Sequence, residues 1–295
     1  MVDFQSSFAE VNGQRLHYIS VGQGDLIMFV HGFPEFWREW ENQLAEFGHD
    51  YQAVALDMRG YNLSSKPAEV EDYNAKHLVQ DLKSLAEHLG HQQFTLVAHD
   101  WGGAAAWSAA MRYPECVKKL VIINSPHPAV FARELLNNPA QQAASQYMLL
   151  FRSAQAEQIL AENNYTRLLE MVTQFGSVWD MAEDVQLKYR EAWSQPGALT
   201  GGLNYYRASP LYPPTSPEDE AQIKGILDLP PEMLAVRAPT LVIWGEQDHA
   251  LLTGNLDGLE DYVDDLTVKR IPDGSHWVIH EQPDRVNALI REFLS

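Results

Sequence analysis

Asp100 lies where a short apolar run, Leu96-Val97-Ala98, gives way to an Ala-rich stretch that opens with Gly102-Gly103. The run reads as a buried strand and the stretch as a helix, so Asp100 falls on the sharp turn between them. Its neighbours at Ala98 and Gly102 are small, as such a turn requires, because it brings backbone too close for larger side chains. The helix that follows aims its first N–H groups at position 100 and favours an anion there. A carboxylate so placed can attack an sp³ carbon and form an alkyl ester with the protein. The same residue in the same place also reads as an ordinary helix N-cap, so the turn alone does not decide.

Three more loops carry compatible groups, each directly after an expected strand. His31-Gly32-Phe33-Pro34 follows the apolar run 26–30, Trp244-Gly245-Glu246-Gln247-Asp248 follows 240–244, and Gly274-Ser275-His276-Trp277 follows 266–271. The second offers a carboxylate and the third an imidazole, and a histidine backed by a carboxylate can activate water to hydrolyse an ester. Asp248 and Glu246 are both candidates for that carboxylate.

These groups must be positioned by an alternation of strands and helices. Asn12-Gly13 marks a hairpin turn between strands at 4–11 and 15–21. Further strands are expected at 53–56, 94–98 and 117–123, with helices at 37–47, 73–90 and 102–113. This pattern predicts an α/β fold with a mostly parallel central sheet covered by helices on both faces. From 127 to 234 the strands stop and Gln, Glu, Leu, Ala and Met recur at helical spacing, broken by Pro and Gly. Alternation resumes at 240–244 and 266–271 and closes in a helix after Pro283. The expected organisation is a core in two parts, 1–126 and 235–295, interrupted by a helical cap at 127–234.

With these pieces in place the chain resembles the α/β-hydrolase superfamily, and within it the epoxide hydrolases, over essentially its whole length. The resemblance is weakest at 211–236. It rests on His31-Gly32-Phe33-Pro34-Glu35 with Trp37, Asp57-x-Arg59-Gly60-Tyr61-x-x-Ser64, His99-Asp100-Trp101-Gly102-Gly103 and Ser125-Pro126-His127-Pro128. Within the cap it rests on Leu203-Asn204-Tyr205-Tyr206-Arg207 and on Gln146-Tyr147-Met148-Leu149-Leu150-Phe151. The order nucleophile, acid, histidine is that of this superfamily.

The resemblance implies a cofactor-independent epoxide hydrolase that makes a vicinal diol. Asp100 would be the nucleophile, and His276 with Asp248 would activate water. The backbone N–H groups of Phe33 and Trp101 would form the oxyanion hole, with both side chains against substrate. Tyr206 and Tyr147 would assist ring opening, since a phenol of pKa near ~10 is protonated at neutral pH yet more acidic than an alcohol. Among 12 tyrosines, either one also reads as ordinary half-buried core. In this fold the acid has two homes, and Asn124 at the first cannot serve as a carboxylate, which leaves Asp248 at the second.

Haloalkane or haloacid dehalogenation through the same aspartate is the alternative. Trp101 fits one halide-donor position, but Phe33 lacks the second side-chain donor, and Trp101 and Ala104 cannot pair with a carboxylate substrate. An alternative of another class is a non-catalytic ligand-binding protein on this fold, against which the complete nucleophile–acid–base set argues. His31 is expected to brace the oxyanion loop, and His99 to stand behind the site. Asp57 and Arg59 are expected to pair within their own loop. Trp37, Trp40 and Met148 read as pocket wall or as core.

Composition narrows the partners. Among 295 residues, 21 Lys+Arg stand against 40 Asp+Glu, a formal net charge of −19 that repels phosphate backbones and anionic lipid, so neither nucleic acid nor membrane is expected. Cys116 is the sole cysteine, and no His/Asp/Glu group shows metal-ligand spacing, so neither an internal disulfide nor a metal site is expected. No apolar stretch reaches the ~18 residues of a membrane span, and the expected setting is the cytoplasm. The expected partner is a small, apolar epoxide, with a homo-oligomer allowed.

Overall fold

The computed structural model describes residues 3–174 and 179–295. Eight strands form one sheet: β1 (Gln5–Val11), β2 (Gln14–Val21), β3 (Leu26–Val30), β4 (Gln52–Leu56), β5 (Phe94–His99), β6 (Val117–Ile123), β7 (Thr240–Gly245) and β8 (Leu266–Ile271). They lie in the order β1-β2-β4-β3-β5-β6-β7-β8. The β1–β2 and β2–β4 pairings are antiparallel and all others parallel. Asn12 and Gly13 both have positive φ, the conformation that a tight two-residue hairpin demands.

Strands β3, β5 and β7 are buried along their whole length, which explains why their sequences are continuous apolar runs rather than alternating ones. Successive residues still point to opposite faces. Met28, Val30, Leu96 and Ala98 enter one core layer, while Ile27, Phe29 and Val97 enter the other. Helix Ala75–His88 turns Leu78, Val79, Leu82, Leu85 and Ala86 inward. Helix Pro283–Leu294 buries Val286 and Ile290 against the opposite layer. The expected helix at 37–47 divides into a 3₁₀ turn, Trp37–Trp40, and an α-helix, Glu41–Phe47.

Between β6 and β7 every regular element among the described residues is helical. The helices are Pro128–Asn137, Pro139–Ala144, Tyr147–Arg152, Ala156–Gln174, Glu183–Ser194, Ala198–Ala208, Pro217–Leu227 and Pro231–Leu234. The fourth is interrupted at its centre, where Asn163, Asn164 and Tyr165 adopt positive φ. No described helix is long and apolar enough to cross a membrane.

One expected pairing does not form. Arg59 turns away from Asp57 and holds Asp81 of helix Ala75–His88 through two hydrogen bonds of 2.6 Å. Asp57 instead accepts from His17 at 2.6 Å, Asn62 at 2.8 Å and the Trp37 amide at 2.9 Å. Both side chains of the motif therefore reach out of their loop and fasten it to other elements.

Candidate active site

The loops that follow β3, β5, β6, β7 and β8 meet at one end of the sheet, the end where open parallel sheets place their ligands. Asp100 follows β5 directly and heads helix Asp100–Arg112 with φ +48°, a left-handed conformation uncommon for a residue with a Cβ. Two glycines make room for it. A Cβ on Gly32 would stand 2.3 Å from the Asp100 carboxylate, and one on Gly102 would stand 2.1 Å from the carbonyl oxygen of Val30. The side chain is not used as an N-cap; the Phe33 amide donates to its Oδ1 at 2.8 Å.

His276 presents its two nitrogens to two carboxylates. Nδ1 lies 2.7 Å from Oδ2 of Asp248, and Nε2 lies 3.8 Å from Oδ2 of Asp100. Burial works against a charged ring, but the Asp248 carboxylate, its hydrogen bond and the nearby Asp100 push His276 up to about 9. Asp248 is buried too, yet His276, the Leu251 amide and Asn124 hold its carboxyl below the usual carboxylate range. Its other oxygen accepts from the Ala250 and Leu251 amides, both at 2.8 Å. Glu246, by contrast, pairs with Arg270 away from the histidine.

The helical segment supplies the opposite wall. Tyr147 begins helix Tyr147–Arg152 and Tyr206 lies near the end of Ala198–Ala208. Arg152 ties the two helices together, donating to the carbonyl oxygens of Tyr206 and, at 3.0 Å, Ser209, with its guanidinium 3.7 Å from the Tyr212 ring centre. Tyr206 is held edge-on by Phe33, Trp101 and Phe151 at ring separations of 4.9–5.5 Å. Burial, then neighbouring Asp100, raise the phenol of Tyr147. Burial, then Tyr147 and Asp100, raise that of Tyr206, so both hydroxyls keep their protons at neutral pH.

A cavity of about 290 Å³ joins these groups, lined by Asp100, His276, Asp248, Tyr147, Tyr206 and Phe33. Most of its remaining wall is apolar, from Leu150, Phe151, Leu160, Met171 and Trp277. Arg167, Glu170 and His249 add polar groups that the sequence did not single out. Trp101 is not among the lining residues, and its ring packs on Tyr205 and Tyr206. Trp40 is wholly buried in the core instead.

Behind the cavity lies a buried polar layer. His31 bonds the Gly32 carbonyl at 2.8 Å and accepts from the Met58 amide at 3.0 Å, and burial keeps its ring neutral, so it braces the loop that carries Phe33. His99 stands between Glu39, at 2.5 Å, and the backbone carbonyl of His276, at 2.9 Å. Glu35 accepts from Tyr189 at 2.5 Å and from His280 at 3.1 Å. Glu35, Glu39 and His280 bring one donor atom each to within 4.8 Å, a set that by composition could hold a cation, although both Glu35 oxygens already have partners. Spacing did not reveal this group, because His280, in helix Val278–Glu281, joins Glu35 and Glu39 from 245 positions beyond Glu35.

Residues 25–283 match the family described as alpha/beta hydrolase fold. Among solved structures, the epoxide hydrolase of Bacillus megaterium in complex with an inhibitor is 40% identical, with a TM-score of 0.90 over 98% of this chain and 99% of that one. Epoxide hydrolase 4 of Mus musculus is 37% identical over 96% of this chain and 77% of its own length. The AB hydrolase superfamily protein YfhM of Bacillus subtilis (strain 168) is 36% identical over 96% of both.

Proposed function

This chain belongs to the epoxide hydrolases of the α/β-hydrolase fold, and on that premise we propose that it converts an apolar epoxide to a vicinal diol through an ester on Asp100. One observation carries the mechanism: the two oxygens of Asp100 face different partners. Oδ1 is held by the Phe33 amide, while Oδ2 faces His276 within the cavity that Tyr147 and Tyr206 also line.

Oδ2 is the attacking atom. It forms a bond to an epoxide carbon as the ring C–O bond breaks, and the alkoxide that departs takes a proton from the Tyr206–Tyr147 pair. The imidazolium of His276 returns that proton to the phenol. Ester formation removes the Asp100 charge, one of the influences that favour the protonated ring, so His276 becomes a competent base only after the first step. It then takes a proton from water as the water oxygen attacks the ester carbon.

Oδ1 bears the resulting negative charge, and the Phe33 amide, joined by that of Trp101, stabilises it. Collapse expels the diol with Oδ2, which takes a proton from His276. The proton on the regenerated carboxyl restores the imidazolium, so charge and protons close over one cycle. The Asp248 carboxylate fixes the tautomer and orientation of His276 throughout.

The cap at 127–234 supplies the tyrosines and most of the apolar wall, which supports an apolar substrate. The same nucleophile acting on a haloalkane has no comparable support, since Phe33 offers only its backbone N–H. We place the protein in the cytoplasm, in keeping with its acidic surface and its one buried thiol at Cys116. Intact-protein mass spectrometry on His276→Gln, offered epoxides and haloalkanes, tests the reading. The expected result is an adduct of one whole epoxide that maps to Asp100. An adduct of a haloalkane minus its halogen, or none while wild type stays active, would overturn it.

A further inference from the structure

Two hydrogen bonds on one buried ring fix a protonation state. His99 Nε2 lies 2.9 Å from the carbonyl oxygen of His276, and a carbonyl can only accept, so Nε2 carries the hydrogen. In the neutral ring Nδ1 is then a bare acceptor, and its 2.5 Å contact with Glu39 Oε1 needs a proton on the carboxyl. The other assignment, imidazolium against carboxylate, places two ions at a wholly buried site. Glu39 Oε2 adds a second constraint, because it is buried with no hydrogen-bond partner among the described residues. A neutral carbonyl oxygen tolerates that position far better than a charged carboxylate oxygen does.

We infer that Glu39 stands as a neutral carboxylic acid whose O–H donates to His99 Nδ1, and that through His99 it is a positioning residue for the water-activating His276. The inference rests on the mechanism proposed above for its catalytic consequence, but not for the protonation state.

Glu39 lies within the 3₁₀ turn Trp37–Trp40 and is packed among groups from several elements. Glu35 comes from the loop after β3, His99 and Asp100 from the elbow, His276 from the loop after β8 and His280 from helix Val278–Glu281. Burial, then the charge of Glu35, push the Glu39 carboxyl well above its ordinary value, while burial, then His276, bring His99 down to about 3. The proton of the pair therefore belongs on Glu39. A charged Glu39 would act on His276 to keep the ring protonated and so unable to take a proton from water, and a neutral Glu39 removes that influence. A divalent cation in the Glu35–Glu39–His280 group would need Glu39 ionised, so the two arrangements exclude each other.

The test has two arms. The infrared difference spectrum of wild type minus Glu39→Gln at neutral pH should show the carbonyl band of a protonated carboxylic acid, with no substrate needed. A carboxylate band in its place, or a bound divalent metal lost with the substitution, would overturn the inference. In single turnovers of styrene oxide, Glu39→Leu should form the ester at the wild-type rate but hydrolyse it about tenfold more slowly, because Nδ1 of His99 loses its donor. kcat and KM should then fall together, leaving kcat/KM unchanged. Glu39→Gln, whose amide can donate in the same direction, should recover most of the loss. Equal slowing of both steps, or no rescue by Gln, would also overturn it. Should wild type leave styrene oxide and other epoxides untouched, the proposed function fails while the infrared arm still decides the state of Glu39.

Discussion

Asn124 donates through Nδ2 to Oδ2 of Asp248 at 2.8 Å, the same oxygen that faces His276 Nδ1 at 2.7 Å. The Asn124 Oδ1 accepts from the Gly245 amide at 2.8 Å, so one side chain braces both the acid and the end of β7. Asn124 has no carboxylate and cannot itself be the acid. Its role lies instead in orienting the carboxylate that sits across from it.

Asn124→Asp would set a second carboxylate beside Asp248, and two such groups in contact cannot both stay ionised. The pair should hold a proton near neutral pH and Asp248 should support His276 less well. We expect kcat to fall by about tenfold or more and its acid limb to move upward, read from a pH–rate profile. An unshifted limb would show that Asn124 does not govern the acid.

Removing one phenol should slow ring opening rather than ester hydrolysis. Tyr206→Phe is expected to lower the rate of ester formation by about a hundredfold, within the range typical of a positioned acid. Tyr147→Phe should do the same less severely, and the double variant should lose more than either. Single-turnover measurement separates the steps; slower hydrolysis with normal ester formation would assign the tyrosines elsewhere.

The paired histidine also ties stability to pH. His276 is raised from its ordinary 6.5 to about 9 in the folded chain, so the native state binds more protons than the unfolded chain between those values. Its contribution is complete below about 6.5 and is lost as pH rises through about 9. The melting temperature of wild type should therefore fall toward that of His276→Gln over this window, as measured by calorimetry. A constant difference from pH 6.5 to 9 would mean that the ring is not protonated when folded.

What the sequence determined was the ordered set of loops that carry Asp100, Asp248 and His276. Strand periodicity, the small residues around Asp100, and the loops that bear Asp248 and His276 are local patterns, set by backbone sterics and by burial on both faces of a sheet. A parallel sheet delivers all its strand ends to one edge, so listing the residues that follow each strand already gathers Asp100, Asp248 and His276. Tertiary structure decided which side chains meet across that edge. Arg59 chose Asp81 over its neighbour Asp57, Asn124 found Asp248 across 124 positions, and Glu39 found His99 across 60. Packing alone fixed Arg152 as the link between the two tyrosine helices and set the Trp101 ring against Tyr205 and Tyr206. Such pairings depend on distances of a few ångströms between remote segments, and no spacing along the chain encodes them.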